Sequence, residues 1–123
     1  MNFVPTPRAK MTTTDDEEMT RSEFAQALCP ELNNSQRQRL KGLGQDLDPV
    51  VLVGDRGISD NLIENFENQL LAHELIKVKV HDNNMIRPVA RQLHEATDAQ
   101  LIQSIGNALL FYKAHPEEPE LLD

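Results

Sequence analysis

The chain has 123 residues, a formal charge of −8, 39% hydrophobic residues and one cysteine. That length fits one domain with a core of modest size, and a lone Cys29 excludes an internal disulfide or a multi-thiolate metal site within one chain. An even spread of negative charge would argue against a polyanionic partner. However, residues 1–31 hold three basic and six acidic residues, 32–115 nine and ten, and 116–123 none and four. The middle of the chain is therefore nearly neutral and can carry a basic face. No apolar run is long enough for a signal peptide near the start or for a membrane span anywhere, which points to a cytoplasmic protein with no membrane partner.

In chain order, residues 1–31 are rich in Pro, Thr and acids, including Thr12-Thr13-Thr14-Asp15-Asp16-Glu17-Glu18, and predict a mobile extension. Met11 and Met19 leave its true start open, and the alternative to mobility is one helical turn in which Phe24, Ala27 and Leu28 dock on the domain. A helix is expected over Ser35 to Gly44, where Leu40 and Leu43 make an apolar stripe that Leu47 extends. Arg37 and Lys41 fall on one flank of that stripe and Arg39 on the other. Pro49 opens a strand, Val50 to Val53, whose unbroken apolar run predicts burial on both sides. After Gly54-Asp55-Arg56-Gly57, Ser59 is placed to cap a helix, with Ile58 and Ile63 as a hydrophobic staple and Leu62, Ile63, Phe66 and Leu70 on its buried arc.

Leu75 to Val80 alternates, sending Ile76, Val78 and Val80 to one face and Leu75, Lys77 and Lys79 to the other. A third helix, about Arg87 to Ala96, tolerates Pro88 in its first turn and is expected to bury Val89, Ala90, Leu93 and Ala96. Leu101 to Ile105 and Ala108 to Tyr112 read as strands joined by Gly106-Asn107, a pair suited to a type II′ hairpin. Phe111 and Tyr112 alternate on the last strand, one toward the core and one outside. Residues 116–123 read as an extended acidic tail that serves solubility. The expected fold class is α/β, an α+β sandwich in the order α-β-α-β-α-β-β, with a four-stranded mixed sheet and packed helices.

The chemistry concentrates in the G-x-x-G loop. Its glycines let backbone N–H groups approach an anion closely at the positive end of the following helix, an arrangement suited to phosphate. Catalysis finds little support. His94-Glu95-Ala96-Thr97-Asp98 lacks the second histidine of a metalloprotease motif. Gly42-Leu43-Gly44 has Leu47 where a dinucleotide fingerprint needs its third glycine, and the loop lacks the Lys-Ser/Thr of a nucleotide P-loop. No metal, cofactor or small-molecule substrate is implied.

The chain resembles the bacterial YhbY-type proteins, which consist of one CRM (chloroplast RNA splicing and ribosome maturation) domain. The matching pieces are Ser35-Gln36-Arg37-Gln38-Arg39-Leu40-Lys41-Gly42-Leu43, Pro49-Val50-Val51-Leu52-Val53-Gly54, Gly57 with its helix, His73-Glu74-Leu75-Ile76-Lys77-Val78-Lys79-Val80, and Gln103-Ser104-Ile105-Gly106 leading into Leu110-Phe111-Tyr112-Lys113. The resemblance implies an RNA-binding domain over 32–115, with a fold like the C-terminal domain of translation initiation factor three. It also implies association with ribosomal RNA in precursors of the large ribosomal subunit. By position it assigns phosphate contact to Gly54, Asp55, Arg56 and Gly57, a basic helix to Arg37, Arg39 and Lys41, and further contacts to Lys77 and Lys79. The chain departs from the family at Asp55, at Asp46 and Asp48, at Asp98 where Gly is common, at Asn107 where a basic residue is frequent, and in its acidic tail.

The expected function is that of a monomeric, non-enzymatic RNA-binding factor of ribosome assembly that grips the phosphate backbone. Contacts from Arg37, Lys41, Arg56 and Lys77 to about four phosphates would give a log–log salt slope of roughly −3. Two rivals stand beside it. One is an acidic adaptor that docks on a ribosomal or assembly protein through the same sheet, and the other is a small phosphoester enzyme using the loop as an anion site.

Overall fold

Local signals place the elements. In a computed structural model, which describes residues 18–122, Thr20 and Glu23 form a capping box that starts α1, Arg21–Ala27, and Asn33 with Gln36 forms another that starts α2, Asn34–Gly44. The expectations for residues 1–17 lie outside the described residues. Strand β1, Pro49–Val53, leads through the glycine loop to α3, Asp60–His73, where Ser59 Oγ accepts the Leu62 N–H as the sequence predicts. Then come β2, Leu75–Val80, a 3-10 turn at Asn83–Met85, α4, Ile86–Thr97, and the hairpin of β3, Gln100–Ile105, with β4, Ala108–Tyr112. The hairpin has φ 57° at Gly106 and no positive φ at Asn107, as a type II′ turn requires. Asp98 ends α4 in the left-handed region, φ 64° and ψ 13°.

The sheet order is β1-β2-β4-β3, with β1 and β2 parallel and the other two pairs antiparallel, a mixed sheet of the expected kind. One face packs α1, α3 and α4 over Val51, Val53, Ile76, Val78, Val80, Leu109 and Phe111. There Phe66 and Phe111 meet edge to face, centroids 5.1 Å apart, a contact worth about 1 kcal/mol beyond its buried area. The opposite face carries α2 over β2, β3 and β4, with Leu40, Leu75, Ile102, Leu110 and Tyr112 beneath it. Gly44 permits that approach, because a Cβ there would lie 2.5 Å from Leu110 Cδ2.

Several expectations change. The segment before Leu32 is not mobile from Glu18 onward: α1 docks along β3, burying Phe24, Ala25, Leu28 and Cys29, and the Leu101 N–H donates to the Leu28 carbonyl. Ala27 itself stays exposed. β1 is buried on one side only, since it is an edge strand whose outer residues Val50 and Leu52 find no helix above them. Ala96 is exposed, because the buried stripe of α4 continues through Thr97. Tyr112 is buried in the α2-side cluster while Phe111 fills the other, so neither ring lies outside.

The acidic tail folds back as well. The buried Glu74, at φ 64°, accepts the His115 N–H on one carboxylate oxygen at 2.6 Å. Its other oxygen accepts the Glu120 and Leu121 N–H groups at 2.8 and 3.1 Å. This clasp lets Leu122 enter the α2-side cluster. Burial pushes the Glu74 carboxyl up, but the three backbone donors outweigh it and hold the group below the usual glutamate value.

Candidate functional site

The loop between β1 and α3 is a hydrogen-bonded turn. The Gly57 N–H donates to the Gly54 carbonyl at 3.0 Å, and Gly57 takes φ 76°, which an L side chain adopts only with strain. The amide of Gly57 is thus spent inside the turn. Those of Asp55 and Arg56 meet no acceptor among the described residues, and α3 begins four residues after Arg56. Gly54 has an ordinary φ, and a Cβ there would meet nothing within 4 Å. Among the described residues, neither conformation nor packing requires glycine at that position.

Asp55 does not cap the loop or the helix. Its Oδ1 lies 2.6 Å from His81 Nδ1 at the end of β2, a contact between two exposed side chains that ties the loop to the sheet. Arg56 is exposed and forms no ion pair among the described residues. Asp55 is thereby engaged sideways, while Arg56 is the side chain left to meet an anion. Asp60, in the first turn of α3, favours the helix dipole but competes with any anion there.

Below the loop, the α2-side face of the sheet is half covered. The register Leu52↔Lys79 and Pro49↔Lys77 sets the two lysines beside the bare outer residues of β1. Lys79 is exposed, and Lys77 lines an open groove with Lys41, Gly42, Gly44, Gln103 and Leu110. Leu52 is 64% exposed and Ile105 58%, so the basic groups border an apolar surface. Gly42, in the last turn of α2, meets nothing within 4 Å of where a Cβ would stand.

The candidate residues therefore divide. Arg56 stands at the loop end of the sheet, and Lys79, Lys77 and Lys41 follow from it across the open face. Arg37 is not with them: it is half-buried, donates to Asn34 Oδ1 and lies against Cys29. Burial pushes the Cys29 thiol up, against the pull of that guanidinium. Arg39 is exposed on α2. Asp46 and Asp48 precede β1, at the opposite end of the strand from the loop. Asn107 gives its side-chain amide to the Val80 and His81 carbonyls, so the hairpin position is occupied with holding β2. His81 had no local signal in the sequence, since its partner is 26 positions away.

His94 Nδ1 lies 2.6 Å from the Ala99 carbonyl, and no group of three or more His, Cys, Asp or Glu able to hold a metal occurs among the described residues. No helix among them is long and apolar enough to cross a membrane.

Residues 32–113 match the CRS1 / YhbY (CRM) domain family. A Haemophilus influenzae protein named RNA-binding protein is 38% identical over 88 residues, 70% of this chain and 89% of the relative. Bacillus subtilis YqeI, named a probable RNA-binding protein, is 35% identical over 92 residues, 73% of this chain and 96% of YqeI. The solution structure of a Staphylococcus aureus protein, described as a candidate RNA binder, superposes with TM-score 0.61 at 33% identity and covers 74% of this chain and 99% of that one.

Proposed function

Because the chain belongs to the CRS1/YhbY (CRM) domain family, a family of RNA-binding modules and not of enzymes, we propose that it binds RNA through the sugar-phosphate backbone. One observation carries the reading. The loop amides of Asp55 and Arg56 have no acceptor among the described residues, in the turn that leads into α3, and the Arg56 side chain has no ion pair among those residues. Such a site suits a phosphate oxygen. From there the strand runs over the open face, meeting Lys79, Lys77 and Lys41, while Leu52 and Val50 offer apolar contact to ribose or base. No exposed aromatic ring stands among these residues, so stacking and base reading contribute little.

Four cationic contacts, with Lys79 in place of Arg37, give a log–log salt slope of roughly −3 at about −0.7 per phosphate. The test is binding of a single-stranded RNA to the parent and to Arg56→Glu across salt, with folding checked by circular dichroism. A folded Arg56→Glu chain should bind more weakly with a shallower slope. Unchanged affinity rejects the loop as the grip. Ribosomal RNA in large-subunit precursors is the target suggested by the family resemblance, and co-sedimentation of the chain with those precursors tests it. A monomer in the cytoplasm is the corresponding expectation.

A second reading, an adaptor that docks on a ribosomal or assembly protein, is favoured by the apolar exposure of Leu52 and Ile105. It predicts little affinity for isolated RNA and no steep salt slope.

A further inference from the structure

The loop carries a carboxylate, Asp55, on a residue whose amide is offered to a phosphate, and His81 stands where it can draw that carboxylate away. The His81 backbone is fixed on two sides. Its N–H donates at 2.9 Å to the carbonyl of Val53, the last residue of β1 before the loop, and its carbonyl accepts the Asn107 side-chain amide of the β3–β4 hairpin at 3.3 Å. From that platform Nδ1 lies 2.6 Å from Asp55 Oδ1. A carboxylate only accepts, so Nδ1 carries the proton and donates. The two side chains are 68% and 78% exposed, and an exposed pair of this kind adds little to stability. What it decides is where the charge of Asp55 stands.

Without the imidazole, the Asp55 carboxylate is free to turn onto the adjacent Arg56 guanidinium or onto a loop amide, as aspartates do in Asx turns. Those are the groups a phosphate needs. We propose that His81 is a positioning residue of the RNA site: by holding the Asp55 carboxylate to the side, it keeps Arg56 and the loop amides open to a phosphate. This role rests on the RNA-binding reading, and it makes an acidic residue in the loop compatible with that reading. A unit charge roughly 6 Å from a phosphate, at an effective dielectric between that of water and about half of it, changes affinity about threefold to tenfold.

The test titrates a fluorescent polyuridine oligonucleotide with full-length chains at about 0.1 M salt, where remote charges are largely screened, each chain checked for native circular dichroism. His81→Ala should bind about threefold to tenfold more weakly than the parent. His81→Asn, whose amide N–H can replace Nδ1 as the donor, should restore affinity to within about twofold. Asp55→Ala loses the same contact but also the charge, so it should bind at least as tightly as the parent, and adding His81→Ala to it should change nothing further. A pair that merely ties the loop to the sheet predicts the opposite sign, with Asp55→Ala as weak as His81→Ala, and that result overturns the proposal. So does a His81→Ala chain that binds like the parent, or a His81→Asn chain as weak as His81→Ala. Arg56→Glu separates the two readings: if it weakens binding and His81→Ala does not, the loop stands as the grip and the positioning role falls. If the parent binds no RNA, or binds it regardless of Arg56→Glu, both fall.

Discussion

Replacing Glu74 by Gln keeps the side chain's shape and removes its charge, so it isolates what the carboxylate does for the tail. In the parent, one oxygen takes the His115 N–H and the other takes those of Glu120 and Leu121. A glutamine can keep the Glu120 and Leu121 donors on its oxygen, but its NH2 then faces the His115 N–H, donor against donor. One bond is lost, and the other two lose their charge assistance. Hydrogen bonds to a charged group contribute about 1.5–3 kcal/mol each and neutral ones about 1, and water can reach the exposed part of the tail, so a net loss of about 2 kcal/mol is expected for Glu74→Gln.

Urea unfolding at pH 7 should show this loss as a lower midpoint, and the amides of His115, Glu120 and Leu121 should exchange faster with deuterium. The pH dependence fixes the sign. A carboxyl held below its ordinary value in the fold contributes stability that is complete above about pH 4.3 and is lost as pH falls through the depressed folded value. The gap between parent and Glu74→Gln should therefore be full at pH 7 and narrow below about pH 4 as the parent's carboxyl protonates. Equal midpoints at pH 7, or a gap that stays constant down to pH 3, would refute the clasp.

Three further outcomes follow from the geometry. Gly57→Asp adds a negative charge at φ 76° with open space around it, so the chain should stay folded by circular dichroism at a cost of about 1 kcal/mol and lose RNA in filter binding. Gly44→Ala and Gly42→Ala, two residues apart on α2, should move stability in opposite directions in urea. The first drives a Cβ to 2.5 Å from Leu110 and costs about 1–3 kcal/mol, while the second meets nothing and gains about 0.5–1 kcal/mol of helix propensity. Neutralising Glu117, Glu118 and Glu120 should tighten RNA binding in about 0.01 M salt and leave it unchanged near 0.15 M, because the Debye length falls from about 30 to about 8 Å.

What was legible in the sequence was whatever a local signal encodes. Ser59 announces a cap because its oxygen needs only the N–H of Leu62, and the alternation of Leu75 to Val80 states its two faces without reference to any partner. The unread parts are those whose partner is distant. An apolar run such as Val50 to Val53 looks the same in a central strand as at an edge, and the edge position of β1 follows from how all four strands are ordered. α1 has no buried face until β3, more than 70 positions further on, provides one. Glu74 looked like part of a helix end, and its meaning lies in three amides 41 to 47 positions away. At the site, the glycine loop was legible but the direction of its groups was not. His81 takes Asp55 to one side, and the Gly57 amide closes the turn. The basic helix was legible as a charge pattern, yet Arg37 faces Cys29 and only Lys41 joins Lys77.

The net charge of −8 illustrates the same point about distance. The clasp fixes the acidic tail to the start of β2, whereas the loop stands beyond the end of that strand. Six residues of β2 at about 3.3 Å each separate the two by roughly 20 Å, more than two Debye lengths at physiological ionic strength. Asp46 and Asp48 likewise precede β1, whose five residues put them on the order of 16 Å from the loop. A phosphate at the loop therefore meets the field of Arg56 and Lys79 and of the α3 N-terminus, opposed by Asp55, Asp60 and Asp82, of which Asp55 is already engaged with His81 and Asp82 caps the 3-10 turn. The total charge describes how the whole chain behaves in dilute salt. The local arrangement decides whether a phosphate is held.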